Sequence, residues 1–247
     1  MTLVERVVEA HGGLERWHRA AAIRLRLSSG GLAFASKGCR TALHDVTATV
    51  ATTGQEVCLE TPGWTHCFDD AIPHPRGVRW SSGDIAAFAA TALWIYVALP
   101  FLLPQLDVEE RGDRLVVRFP PGLRTHSPTQ VLHVDGDGLI RRHDYTALDF
   151  GPWARATQEV GAYREAGALR FATRRRVRPR MWPHRPLLVW IDIASVEVQA
   201  VQPMSADGGQ RVRPVRPSTS SSYSPKTSNS SSTPGQSPTE MSGTEHT

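Results

Sequence analysis

The sequence predicts an α+β domain that is mainly antiparallel β. The expected form is a curved sheet or half barrel wrapped around one apolar helix, with a second helix at the N-terminus. Three observations predict it. The stretch Ile85 to Leu103 carries no charge, and no other long segment of the chain shares that property. Short runs of alternating apolar and polar residues, punctuated by Gly, Pro and Asp, fill most of the remainder. At the start, Thr2-x-x-Glu5 reads as a capping box, with Leu3, Val4, Val7 and Val8 at helical spacing behind it.

The chargeless stretch reads as a buried helix. Ser81, Ser82 and Asp84 stand where an N-cap is expected, and five alanines between Ala86 and Ala92 favour helix. Pro100 is expected to end or kink the helix near Leu99. That leaves about 15 helical residues, about 22 Å, which is short of a bilayer's hydrocarbon core. The flanks are Asp84 and Asp107 and no Lys/Arg cluster orients the run, so no stable membrane span is expected. A helix apolar on every side must be covered on every side, and strands must do the covering.

In order along the chain, the N-terminal helix breaks at Gly12-Gly13 and resumes to about Arg19, its apolar face covering one end or edge of the sheet. Ile23 to Leu27 is a strand. Gly30-Gly31 turns it, and Leu32 to Ser36 returns as a second strand. Asp45 to Thr52, Gln55 to Glu60 and Trp64 to Phe68 continue an antiparallel meander. After the central helix, Val108 to Arg111 and Leu115 to Phe119 form a hairpin. Val131 to Val134 and Leu139 to Leu148 form another, turned at Asp135-Gly-Asp-Gly138. Gln158 to Arg164 and Arg170 to Arg178 pair in turn. Leu187 to Val198 is the clearest strand, with apolar residues on both faces over its first half. A closed eight-stranded barrel has no room for a helix, so an open or half barrel is the economical assembly. A two-layer α+β sandwich satisfies the same pattern.

Of the 247 residues, 1–203 are expected to form one folded domain. Residues 204–247 are rich in Ser, Thr, Pro and Gly and are expected to be a disordered tail. The net charge of +4 and a pI near 9.3 permit an anionic partner without demanding one. The three cysteines, Cys39, Cys58 and Cys67, do not suggest a disulfide framework. No basic region followed by an apolar stretch opens the chain. Together these features predict a reduced, cytoplasmic protein.

Three places could carry function. The first is a pocket between the sheet and the central helix, lined by Phe88, Trp94, Tyr96 and Phe101, against the alternative of a fully packed core. The second is polar. On one strand Arg141, His143 and Tyr145 share a face and Arg142 and Asp144 share the other. His126 or His143 could serve as general base, Tyr145 as acid, and Asp144 as orienter or simply as the partner of Arg142. The third is Arg174, Arg175 and Arg176, with Trp182 and His184 near by. These could bind phosphate or nucleic acid, or could guard an exposed edge strand ending at Pro179. Nothing in the sequence has metal-ligand spacing, a phosphate loop or a nucleophile elbow, so no metal or cofactor is expected.

A resemblance rests on Ala10-His-Gly-Gly-Leu-Glu-Arg-Trp17, Leu99-Pro-Phe-Leu-Leu103, His126-Ser-x-x-Gln130, Gly138-Leu-x-Arg-x-His-Asp-Tyr145 and Leu169-Arg-Phe-x-Thr-Arg-Arg-Arg176. Together these look like an uncharacterised family of bacterial proteins of about this length, which supplies no catalytic residues. In layout the chain is similar to the lipoprotein-carrier superfamily, whose incomplete barrel wraps a helix and holds acyl chains. It departs from those carriers in lacking an export signal. The expected function is binding of a lipid-like or other apolar small molecule, with no nucleic acid. The alternative is a cofactor-independent enzyme using His126, His143, Asp144 and Tyr145 beside the same pocket.

Overall fold

The computed structural model describes residues 1–180 and 185–201. The expectations for Trp182, His184 and the tail from residue 204 lie outside these residues.

The capping box forms as read, with Thr2 and Glu5 exchanging side-chain-to-backbone hydrogen bonds at the start of α1 (Leu3–Ala10). The glycine pair separates α1 from the short α2 (Leu14–His18). Eleven strands are seen among the described residues, all antiparallel, in a single unclosed curved sheet. The chain enters near the middle with β1 (Ala20–Gly30). It then steps outward through β2 (Val46–Ala51), β3 (Val57–Glu60) and β4 (Thr65–Phe68) to one edge. The apolar helix α4 (Ser82–Leu102) links that edge strand to β5 (Asp107–Arg111) at the other edge. From there β6 (Arg114–Arg118), β7 (Thr129–Val134), β8 (Ile140–Thr146), β9 (Arg155–Ala166), β10 (Leu169–Pro179) and β11 (Val189–Ala200) return, until β11 pairs with β1. First and last strands thus close the middle of the sheet.

The chargeless segment is the core helix of this sheet. Ser82–Gln105 is the one stretch among the described residues long and apolar enough to cross a bilayer, and 89% of its most apolar 18-residue window is buried within the fold. Ser81 and Asp84 form its capping box. At its far end Phe101 stacks on Trp17 at 4.4 Å, so α1 and α2 close that end of the core.

Five expectations need correction. The helix does not stop near Leu99 but runs through Pro100 to Leu102 and a 3-10 turn, Leu103–Gln105. Proline removes the N–H that would bond the Tyr96 carbonyl one turn back. The Nη2 of Arg175 takes that place at 3.4 Å. Second, Leu32 to Ser36 is not a strand but a short helix, α3 (Leu32–Ser36). Gly31 enters it at φ 132°, where a Cβ would lie 2.3 Å from the Leu188 carbonyl oxygen, and Phe34 then packs edge-on against Phe88. Third, β10 is no edge strand, since β9 and β11 flank it. Fourth, β11 buries only one face: Val189, Ile191 and Ile193 point inward while Asp192 and Ala194 are exposed. Fifth, Cys58 and Cys67, directly opposed on β3 and β4, form a disulfide, and only Cys39 is a buried free thiol. The expectation of three reduced thiols is therefore overturned.

Candidate functional site

Sheet alternation decides which polar side chains enter the core. On β10, Phe171, Thr173, Arg175 and Val177 are buried, while Arg174 is exposed and Arg176 half-buried. The arginine triplet is thereby split. Arg176 makes a two-pronged ion pair with Asp192 at 2.8 and 3.0 Å, and Arg175 lies in the interior, 7% exposed. On β8 a bulge at Arg141 breaks the expected pattern, because His133 pairs with Arg142 and Val134 with Ile140. Arg141 therefore does not share a face with His143. It turns outward to Asp135, while His143 is buried.

The sequence-predicted catalytic quartet does not converge. Asp144 is held by Arg142 through two bonds of 2.8 Å and by His133 at 3.1 Å, away from His143. His143 shares its hydrogen bond with Gln130 at 2.6 Å. Burial, with the Arg175 charge adding to it, pushes His143 down to about 3, so the ring is neutral at pH 7. His126 belongs to a different network, with Asp149 at 2.7 Å from its Nδ1. Asp149, whose side chain is 1% exposed, also takes Arg124 at 2.8 Å and His74 at 3.2 Å. Burial raises the Asp149 carboxyl, but its bonds to His126 and Arg124 outweigh that and hold it well below the usual carboxylate range. Burial lowers His126, which stays neutral. Its Nδ1–H donates to Asp149, and its buried Nε2 has no partner.

Arg175 sits in a polar layer between α4 and the sheet. Its Nη1 donates to Gln158 at 3.1 Å, and its guanidinium lies 4.0 Å over the Tyr96 ring. Gln158 in turn donates to the Tyr96 hydroxyl at 2.7 Å, and Tyr145 is within hydrogen-bonding reach of that hydroxyl. Burial holds Tyr96 and Tyr145 above the usual phenol range. His11, whose Nδ1 donates to the Val7 carbonyl at 2.7 Å, is pushed by burial down to about 4. Tyr96, Tyr163 and Tyr145 favour the Arg175 charge, that charge in turn disfavours protonation of His11 and His143, and no carboxylate pairs with it among the described residues. The layer is thus neutral except for one buried cation with an unpartnered Nε–H.

Three cavities adjoin this layer. A cavity of about 20 Å³ is bounded by His11, Tyr96, His143, Tyr163 and Arg175. A second, about 40 Å³ and apolar, lies among Phe34, Phe88, Leu93, Tyr96 and Tyr145. The largest, about 280 Å³, opens beside α3 and is walled by Leu32, Phe88, Tyr145, Phe150, Trp153 and Leu188. The last two share Phe88, Tyr145, Val177 and Val189, and the first two share Tyr96.

In structure the chain is similar to a LolA superfamily protein from Nitrosomonas europaea. The identity is 9%, the match covers 82% of this chain and 96% of that one, and the TM-score is 0.41. It is also similar to a DUF1329 family protein from Desulfovibrio piger, at 13% identity over 80% of this chain and 94% of that one, with a TM-score of 0.39. No family model matches the sequence, and no curated protein matches it.

Of the four residues expected to line a ligand pocket, Phe88 and Tyr96 border the cavities described above, and Trp94 and Phe101 border none of the three. Trp94 donates to the Gly54 carbonyl at 2.6 Å near the β2–β3 end, and Phe101 packs on Trp17. Sequence reasoning missed Gln130, Gln158, Arg124, Asp149 and Tyr163. A signal existed for Gln158, which alternates with the buried Ala156 and Val160 on β9 and so had to face the core. Asp149 and Arg124 are loop residues that only the fold brings to His126.

Proposed function

We propose that this protein binds an apolar small molecule between the curved sheet and its central helix. One observation carries the reading: the open pocket beside α3 is walled almost wholly by apolar side chains, two of which are large and exposed. Trp153 is 74% exposed and Leu32 52%. Exposed apolar surface that converges on a concavity is the usual form of a site for an apolar ligand. Its volume of about 280 Å³ is at the lower end of such sites. The disulfide on the β3–β4 edge favours an oxidising compartment over the cytoplasm.

The test uses a neutral fluorescent probe, N-phenyl-1-naphthylamine. It should brighten on mixing with the protein and should be displaced by long-chain alkanes or alcohols. Ala33→Trp, placed in the pocket wall, should abolish the signal while the unfolding temperature holds. A signal that survives this substitution would remove the proposed pocket.

The enzyme alternative keeps one specific support, the Asp149–His126 pair with its unpartnered Nε2. Such a pair is a general-base arrangement. Phe88, which lines the pocket, lies 4.3 Å from His126 with the rings tilted by 32°, and His126 is not among the residues lining the pocket. A His126 that titrates near neutral pH by NMR would favour this reading.

A further inference from the structure

We infer that the ligand is an amphipathic carboxylate, with its chain in the apolar pocket beside α3 and its carboxylate drawn to the buried Arg175 past Tyr145 and Tyr96. This deepens the proposed function and rests on it.

Arg175 lacks a charged partner among the described residues. A guanidinium offers five N–H donors in a planar fork. Two groups receive it here, the Gln158 amide and the Tyr96 carbonyl, and both are neutral. Its Nε–H has no partner among the described residues, although the side chain is buried. Charges withdrawn from water are normally paired, and leaving one unpaired is costly. The Tyr96 ring at 4.0 Å compensates only in part. A cation held this way in a closed interior is completed by an anion that arrives with the ligand, where a charge-assisted fork-to-fork pair can form.

Position and size then select the anion. Tyr96 borders both the small cavity at Arg175 and the apolar cavity next to it. Tyr145 borders that apolar cavity and the open pocket. Tyr145 and Tyr96 are thus shared walls between these spaces, and a ligand that pushed both side chains aside would meet apolar walls first, two phenol hydroxyls next and the cation last. The cavity at Arg175 measures about 20 Å³, room for roughly one water. That fits a carboxylate terminus and is too small for a phosphodiester headgroup. The neighbouring His11 and His143 are neutral, so they neither compete as cations nor repel Arg175.

The experiment compares dodecanoate, its methyl ester and dodecanol, all below micelle formation, by calorimetry on the full-length protein. Dodecanoate should bind at least about tenfold more tightly than the ester or the alcohol, the discrimination expected of one charged hydrogen-bonded contact. Arg175→Met should abolish that preference. Equal binding of acid and ester to the wild-type protein would overturn the inference, whatever the variant does, and would leave the apolar site standing. Binding of none of the three would remove both. Should Arg175→Met not fold, the wild-type comparison still decides, and Arg175→Lys gives the second reading. Lys keeps the charge without the fork, so it should retain part of the acid preference.

Discussion

At the scale of single residues, the buried acidic and histidine side chains discussed above, unlike Arg175, are either locked in a charge pair or held neutral. Asp149 is locked: its carboxylate meets Arg124 and His126 with almost no exposure. Asp149→Asn should therefore leave the Arg124 charge buried without compensation, at about 3–5 kcal/mol of unfolding free energy. Urea denaturation at pH 7 measures this. His11, His126 and His143 are instead held neutral, each lowered chiefly by burial. In the unfolded chain they bind protons below about pH 6.5. The folded state declines those protons until about pH 4 for His11 and about 3 for His143. Unfolded protein thus binds more protons throughout this window, and stability falls as pH falls. Between pH 7 and 5 the loss should be about 2 kcal/mol each for His11 and His143, with His126 acting in the same direction. Asp149 adds nothing to that loss, because its lowered carboxyl stays ionised there in both states. A flat stability profile between pH 7 and 5 would refute the assignment, as would histidine NMR shifts that move in the folded protein over the same range.

Among the elements, α4 shows most clearly how a local rule is set aside by packing. Proline inside a helix costs about 3 kcal/mol, yet the helix continues through Pro100. Burial on all sides holds it straight enough, and the Arg175 side chain serves the Tyr96 carbonyl that proline leaves without a donor. Pro100→Ala should restore the backbone hydrogen bond and raise stability by about 1–3 kcal/mol, read from the unfolding midpoint. It should also release Nη2 of Arg175. The bulge at Arg141 on β8 is a second such case. One extra residue turned a predicted neighbour of His143 outward to Asp135 and kept His143 in the core. Alternation counted on the sequence cannot register an inserted residue, since the count itself does not change.

For the whole molecule, an eleven-stranded open sheet leaves two edges, and each is blunted differently. β5 carries Asp107, Glu109, Glu110 and Arg111 along its length. β4 has four residues and is tied to β3 by the disulfide. Reduction should cost about 2–3 kcal/mol, the value expected for closing so short a loop, and should leave the sheet folded. Circular dichroism and urea titration with and without reductant measure both parts. Continuity of the sheet depends on β1 meeting β11 across nearly the whole chain. A chain ended after Pro203 keeps both strands and should unfold at the temperature of the full-length protein.

Sequence alone determined the class of this fold, because its signals are periodic and local: a chargeless run with caps, and alternating strands broken by turn residues. It also placed Phe88 and Tyr96 in the interior and the start of the central helix at its Ser81–Asp84 cap. It could not show that Arg175 stands alone inside while Arg174 and Arg176 face outward, because three adjacent arginines read as one surface run. Nor could it bring Asp149 to His126 or Cys58 to Cys67. Those pairings are set by strand register and loop path, which depend on contacts distant in the chain. Whether a buried cation finds a partner is decided by the surrounding walls, and only the tertiary structure supplies them.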